Sequence, residues 1–226
     1  MKLVTMTTLT SEQKNVVLDE IILERRTHRR FNEEMPSDDR VCEIIRAGLH
    51  APFAGAAVAG EKDYFRRFFV IRKNSETMNS LKPLLFGEVV RMASDLDRAV
   101  EKSEHLRTQA IGFIARLAMI KKMGSVPGVG TAPFFIVIAE KKGFPPVEQE
   151  SLAHCLENMW LKATALGLGF QLVSVTAQMA DNDEFCQILG LQSGTWGFMG
   201  CAIGYPVEKL SASVRPAVSD VTTWLR

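Results

Sequence analysis

The chain has 226 residues, 27 Lys and Arg against 26 Asp and Glu for a net charge of +1, and 46% hydrophobic and 23% charged residues. That length suits one large domain able to bury roughly 70% of its unfolded surface, and the composition excludes disordered and fibrous classes. The even charge balance excludes a global pull toward nucleic acid or anionic membrane, so local clusters are the more informative feature.

The chain shows no internal repeat and no low-complexity linker, so residues 1–226 read as a single domain. Near the N-terminus, Val17, Leu18, Ile21 and Ile22 recur at helical spacing and predict a helix ending near Arg25. Ser37 is the expected N-cap of a second helix, with Asp38 and Asp39 in its first turn and Val41, Ile44, Ile45 and Leu49 as its buried stripe. Ala51 to Gly60 is a loop of small residues. Phe68-Phe69-Val70-Ile71 reads as a strand. Leu84 to about Lys122 is mostly helical, and its charged middle predicts a break within it. Gly124 to Gly130 is a turn-rich connector, and Phe134 to Ala139 reads as a strand buried on both faces. Leu152, Cys155, Leu156, Met159 and Ala163 mark a helix ended by Gly167-Leu168-Gly169. Phe170 to Val175 is strand-like, Asp183 to Leu189 is a short helix stopped by Gly190, and Phe198 to Tyr205 is a further strand. Interleaved helices and strands predict helices layered on a sheet.

Cys42, Cys155, Cys186 and Cys201 are scattered without a C-x-x-C pair, which suggests small apolar packing residues in a reducing compartment. No signal-peptide core and no apolar run near the ~18 residues of a membrane span are visible, so a cytoplasmic location is expected. The 124–130 segment lacks the spacing and the following Lys-Ser/Thr of a phosphate loop. The four histidines show no metal-ligand spacing, and there is no G-x-S-x-G elbow or triad order. Any chemistry is therefore expected to come from a cofactor.

Arg25, Arg26, Arg29 and Arg30 form the tightest basic cluster. Alone it reads either as a solvated helix end, where cations are favourable, or as a phosphate grip of forked guanidinium donors joined by the Thr27 hydroxyl. On an extended segment Arg25, Thr27 and Arg29 would share one face.

The run Arg25-Arg26-Thr27-His28-Arg29-Arg30-Phe31 resembles the R-R-S-x-R-x-F opening of the nitroreductase family of FMN-dependent flavoproteins. The helix from Val41 into Ala51-Pro52, the strand after Thr131-Ala132-Pro133-Phe134, the helix from Leu156-Glu157-Asn158-Met159 to Leu166-Gly167-Leu168-Gly169, Ala202 to Pro206, and Arg215-Pro216 resemble later family segments in the same order. The resemblance implies an α+β three-layer sandwich, a central mixed sheet wrapped by helices, in an intertwined homodimer with FMN at each subunit interface. It implies that Arg25, Arg26, Thr27 and Arg29 hold the FMN phosphate and ribityl chain, with Arg215 closing on the phosphate. Pro52, Phe53 and Ala54 would belong to the loop at the flavin, and Leu172, Val173 and Ser174 would lie against the isoalloxazine with backbone N–H groups near N5.

The implied activity is ping-pong hydride transfer from NADH or NADPH, through flavin N5, to a nitroaromatic, quinone or similar flat conjugated acceptor. No catalytic side chain is required by it. Residues 84–122 would cover the pocket, where Phe86 and Phe113 are candidates to stack on substrate, with core packing as the competing reading. The family loop usually reads A-P-S-x-x-N-x-Q-P-W, whereas this chain has Phe53 at the Ser position and Ala56 at the Asn position. Each lost neutral hydrogen bond is worth roughly 0.5–1.5 kcal/mol, so two could weaken FMN about tenfold or more. A flavin-binding or ligand-sensing relative without reductase turnover, and a reduced-flavin enzyme with another reaction such as reductive dehalogenation or flavin breakdown, are the alternatives.

Overall fold

The computed structural model of the chain describes residues 8–60 and 64–225. Helix α1 (Ser11–Glu24) opens with a capping box, Thr10 accepting from the Gln13 N–H and Gln13 reaching back to the Thr10 N–H. Helix α2 (Asp38–Leu49) starts at the Ser37 cap that the sequence predicts. Strand β1 (Arg66–Arg72), helices α3 (Glu76–Glu101) and α4 (Glu104–Met123) and strand β2 (Phe134–Lys141) follow. The chain continues through α5 (Glu148–Ala165), β3 (Gly169–Leu172), a 3-10 helix (Ser174–Met179), α6 (Asp183–Ile188), β4 (Trp196–Gly204) and α7 (Val218–Val221).

The sheet runs in the order β1-β2-β4-β3 with every strand pair antiparallel. The parallel component expected of a mixed sheet is confined to one isolated bridge, Thr27 beside Phe170. Strand β2 explains the layering. Its aromatic and β-branched residues alternate between two cores, each side chain facing opposite its neighbours. Phe134, Ile136 and Ile138 join Val41 and Ile44 of α2 and Leu152, Cys155 and Met159 of α5. Phe135, Val137 and Ala139 join Met78, Leu81 and Leu85 of α3 and Phe185 of α6. The result is the expected three-layer α+β sandwich. Gly48 permits the close α2–α5 crossing, since a Cβ there would stand 2.8 Å from Met159 Cγ and 2.9 Å from Cys155 Sγ.

The break expected within the long helical region falls at Lys102-Ser103, where Ser103 caps α4 by accepting from the Leu106 N–H at 3.2 Å. Two boundaries differ from expectation. Helix α3 begins eight residues earlier than the sequence suggests, capped by Ser75, with Pro83 inside it on the exposed side. There, water can satisfy the carbonyl that the missing Pro N–H leaves unpaired. Strand β3 ends at Leu172 rather than Val175, because the chain turns into the 3-10 helix at Ser174.

Helix α1 differs from the others. It buries no residue, and Val16, Val17, Leu18, Ile22 and Leu23 are exposed apolar side chains. The 51–60 loop contains a short 3-10 turn, Gly55–Val58. Cys155, Cys186 and Cys201 are buried free thiols and Cys42 is exposed. Among the described residues no helix is long and apolar enough to cross a membrane, and no cluster of His, Cys, Asp and Glu suits a metal.

Candidate flavin site

The segment after α1 is extended and lies along the outer side of β3. The His28 N–H donates to the Phe170 carbonyl at 3.0 Å, and the Asn32 N–H to the Tyr205 carbonyl at 3.0 Å. Thr27 is bridged to Phe170, two residues before Leu172, so the arginine segment is docked on the strand that leads to the expected ring contact.

The arginines of this segment are engaged differently. Arg25 stacks over the Trp160 ring at 4.5 Å and pairs with Glu157 at 3.3 Å, which holds it toward α5. Arg26 turns the other way, donating to the carbonyls of Ser211 at 2.7 Å, Leu23 at 2.7 Å and Arg25 at 2.6 Å. Arg29 is exposed, without an ion-pair or hydrogen-bond partner among the described residues. It stands close enough to Arg116 of α4 for the two cations to repel, and this repulsion adds to burial in lowering the Arg116 pKa. Arg25 is thus already partnered within its own chain. Arg29 is the guanidinium left unengaged. Arg215 lies exposed in the segment after β4, which approaches the cluster through Ser211.

Leu172 and Ser174 are exposed and Val173 is buried, its N–H donating to the Gly200 carbonyl at 2.8 Å. Gly200 makes this crossing possible, because a Cβ there would collide with the Thr176 hydroxyl. Ser174 opens a 3-10 helix, so its N–H belongs to the donors that a helix start leaves without an intrahelical partner. The cleft beside it, about 100 Å³, is lined by Leu172, Val173 and Ser174 together with Phe113, Arg116 and Met92. Phe113, a candidate stacking residue, faces this cleft, whereas Phe86 is partly buried against the core.

A larger groove of about 460 Å³ lies on the Arg26 side, walled by Leu23, His28, Gly167 and Leu210. Its carboxylates, Glu24 and Glu208, make it a poor seat for an anion. Burial lowers the His28 pKa in this groove; Glu208 opposes the shift and Arg26 adds to it.

Pro52, Phe53 and Ala54 are exposed and lie elsewhere. Phe53 packs on Phe65 with ring centroids 4.2 Å apart, and the Ala57 carbonyl accepts from the Phe144 N–H at 3.2 Å. This places the loop at the Lys141 end of β2, while the arginine segment sits at the Phe134 end, some seven strand steps or about 23 Å away. Beneath the loop, Arg66 is buried. It donates to Glu140 at 2.9 Å, the Gly48 carbonyl at 2.9 Å and the Ser151 hydroxyl at 2.9 Å.

The donors at the arginine end suit a phosphate-bearing flavin: an unengaged guanidinium, the Thr27 hydroxyl and a free-standing N–H at Ser174. Phe53 and Ala56 supply no side-chain donor at the other end. Arg116 escaped the sequence reading because it lies in a helical stretch of mixed charge, and only the packing of α4 against residues 172–174 singles it out.

A model of the nitroreductase family matches residues 22–205. Among solved structures, a nitroreductase with bound FMN from Bacteroides fragilis is 18% identical with a TM-score of 0.63, covering 92% of this chain and 98% of its own. A nitroreductase with bound FMN from Desulfitobacterium hafniense is 20% identical with a TM-score of 0.61, covering 93% and 98%. An iodotyrosine deiodinase bound to FMN and 3-iodo-L-tyrosine is 17% identical with a TM-score of 0.64, covering 89% and 96%. Comparison with curated proteins returns no match.

Proposed function

The chain belongs to the nitroreductase family, and from that premise we propose that it is an FMN-dependent oxidoreductase acting as a homodimer. Bound FMN would supply hydride transfer, taking electrons from NADH or NADPH and giving them, in a ping-pong cycle, to a nitroaromatic, quinone or similar flat conjugated acceptor. The observation that supports this most is the Thr27–Phe170 bridge. It docks the cationic segment onto β3 so that a phosphate grip and the Ser174 N–H stand along one edge of the sheet. In this reading Arg29, Thr27 and Arg25 bind phosphate, with Arg26 bracing the segment through Ser211 and Arg215 joining from the tail. The Ser174 N–H holds the ring edge, and Leu172 and Val173 exclude water beside it. Pro52, Phe53 and Ala54 reach a flavin only from a second copy, because within one chain they lie at the far end of β2. The exposed apolar stripe of α1 is the surface expected to be covered in that dimer.

A second reading keeps the flavin and changes the reaction. It is favoured by the absence of side-chain donors at Phe53 and Ala56, and the deiodinase indicates that the fold accommodates chemistry other than nitroreduction. A flavin-binding protein without turnover is the limiting case. Reconstituting the purified protein with FMN and following the visible flavin absorbance separates these outcomes. Bleaching by NADH or NADPH and recovery on adding a quinone or nitroaromatic is the expected result. A dimer that takes up no FMN would rule out the proposal, and uptake without bleaching would leave only flavin binding.

A further inference from the structure

The cleft between α4 and residues 172–174 contains a charge that no described residue balances. Arg116 is partly buried, lines this cleft, and has no ion-pair or hydrogen-bond partner among the described residues. Its surroundings are apolar on several sides, with Met92, Phe113, Leu117 and Leu172 as the walls and the Ser174 side chain as a further polar group. A cation held unpaired against apolar walls is costly, and the nearby Arg29 makes it more so. An anion of the right size would relieve both costs. The same walls exclude water and strengthen the pair.

We propose that Arg116 is the recognition residue for the carboxylate of a small conjugated acceptor whose ring lies between Phe113 and Leu172. The volume of about 100 Å³ is near the share of three water molecules, enough for a carboxylate and the edge of its ring. A guanidinium grips a carboxylate with two parallel N–H bonds, and Phe113 gives the ring a face to stack on. The flavin phosphate is the other source of the same anionic chemistry. Arg116 is assigned to the acceptor because it opens onto Leu172, Val173 and Ser174, whereas Arg25 and Arg26 face Glu157, Trp160 and Ser211. The inference names the substrate class within the oxidoreductase reading.

The test uses the FMN-loaded full chain, its Arg116→Gln variant and its Arg116→Lys variant. Benzoate and benzyl alcohol are titrated calorimetrically, and para-nitrobenzoate and para-nitrobenzyl alcohol are compared as acceptors. Benzoate is expected to bind the wild type and to lose roughly ten- to a hundredfold in Arg116→Gln, with a partial recovery in Arg116→Lys and no change for benzyl alcohol. In turnover, KM for para-nitrobenzoate should rise in Arg116→Gln while kcat stays near the wild-type value. Equal benzoate affinity in wild type and Arg116→Gln would overturn the inference, even if both enzymes turn over. Arg116-dependent benzoate binding without any turnover would support it and remove the reductase reading instead. Binding of FMN and riboflavin to the apoproteins completes the set. A loss in Arg116→Gln confined to FMN would move the guanidinium to the phosphate and overturn the acceptor assignment.

Discussion

At its Phe134 end, β2 lies near an extended, cationic segment whose Arg29 is exposed and unengaged; at its Lys141 end, it supports a neutral loop resting on a buried ionic network. Both ends contain arginine, yet the two uses are opposite. Arg66 is 1% exposed, and each of its three guanidinium nitrogens donates within the fold, to Glu140, the Gly48 carbonyl and Ser151. It is spent on structure, and no ligand can reach it. Arg29 contributes little to the fold and is free to bind an anion. The engagement of a guanidinium, rather than its presence, distinguishes a structural from a ligand-binding arginine here.

The largest expected effect breaks the structural end. Arg66→Met removes one partner of a buried ion pair and leaves the Glu140 carboxylate desolvated, a change that costs about 3–5 kcal/mol. For a chain of this size that is a fall in Tm of roughly 6–20 °C. Adding Glu140→Leu should recover much of the loss, because the uncompensated charge is gone. The preference for FMN over riboflavin should be unchanged in whatever fraction stays folded. A wild-type Tm in Arg66→Met would show that the network contributes nothing to stability.

Next in size is the contact that must bring the two ends together. If the loop of one chain meets the arginine end of another, the α1 stripe is the surface to disrupt. Leu18→Asp with Ile22→Asp removes two apolar side chains from each copy; both are already half covered, so docking gains for each only about half of the ~1.5–3 kcal/mol of full burial. Sedimentation should show a dimer weakened a hundredfold or more, while circular dichroism stays native because α1 buries nothing within its own chain. FMN affinity should fall with the dimer. A monomer that binds FMN as tightly as the wild type would place the whole site in one chain.

Much of this fold could be read from the sequence because its signals are local. Ser37 caps α2, the alternation in β2 assigns its two cores, and the left-handed Gly167 and Gly190 stop the helices before them. The start of α3 lies eight residues before Leu84, at the Ser75 cap, because Pro83 faces solvent and is tolerated inside the helix. The candidate site was legible only in part. Arg25, Thr27 and Arg29 stood out as one motif, but nothing in the sequence tells that Arg25 is occupied by Glu157 and Trp160. Arg116 depends on the docking of α4, a tertiary contact with no local signature.

A smaller effect tests the unengaged guanidinium itself. Arg29→Ala should weaken FMN by about 1.5–3 kcal/mol, roughly ten- to a hundredfold, by removing a charge-assisted phosphate bond. Riboflavin, which lacks the phosphate, should bind both proteins alike. Arg25→Ala is the sharper comparison, since its guanidinium is already shared with Glu157. Equal losses in the two variants would mean that flavin binding draws Arg25 away from Glu157. An Arg29→Ala protein with unchanged FMN affinity would move the phosphate elsewhere.

The smallest effect belongs to the neutral loop, and it decides what that end of the molecule is for. Ala56 occupies the position where the family places Asn, and it is exposed within the 3-10 turn Gly55–Val58. If the loop of a second copy faces the flavin, Ala56→Asn restores one neutral hydrogen bond. FMN and riboflavin should then both bind tighter by about 0.5–1.5 kcal/mol, at most some tenfold. The equal gain for the two flavins matters, because it assigns the contact to the ring rather than the phosphate and so separates this end from the arginine end. No gain for either flavin, in a variant that is still a dimer, would mean that the loop does not approach the ring. The small side chains of 54–59 would then be needed only for packing over Phe65 and Gly143, where a Cβ added to Gly143 would meet the Ala57 backbone.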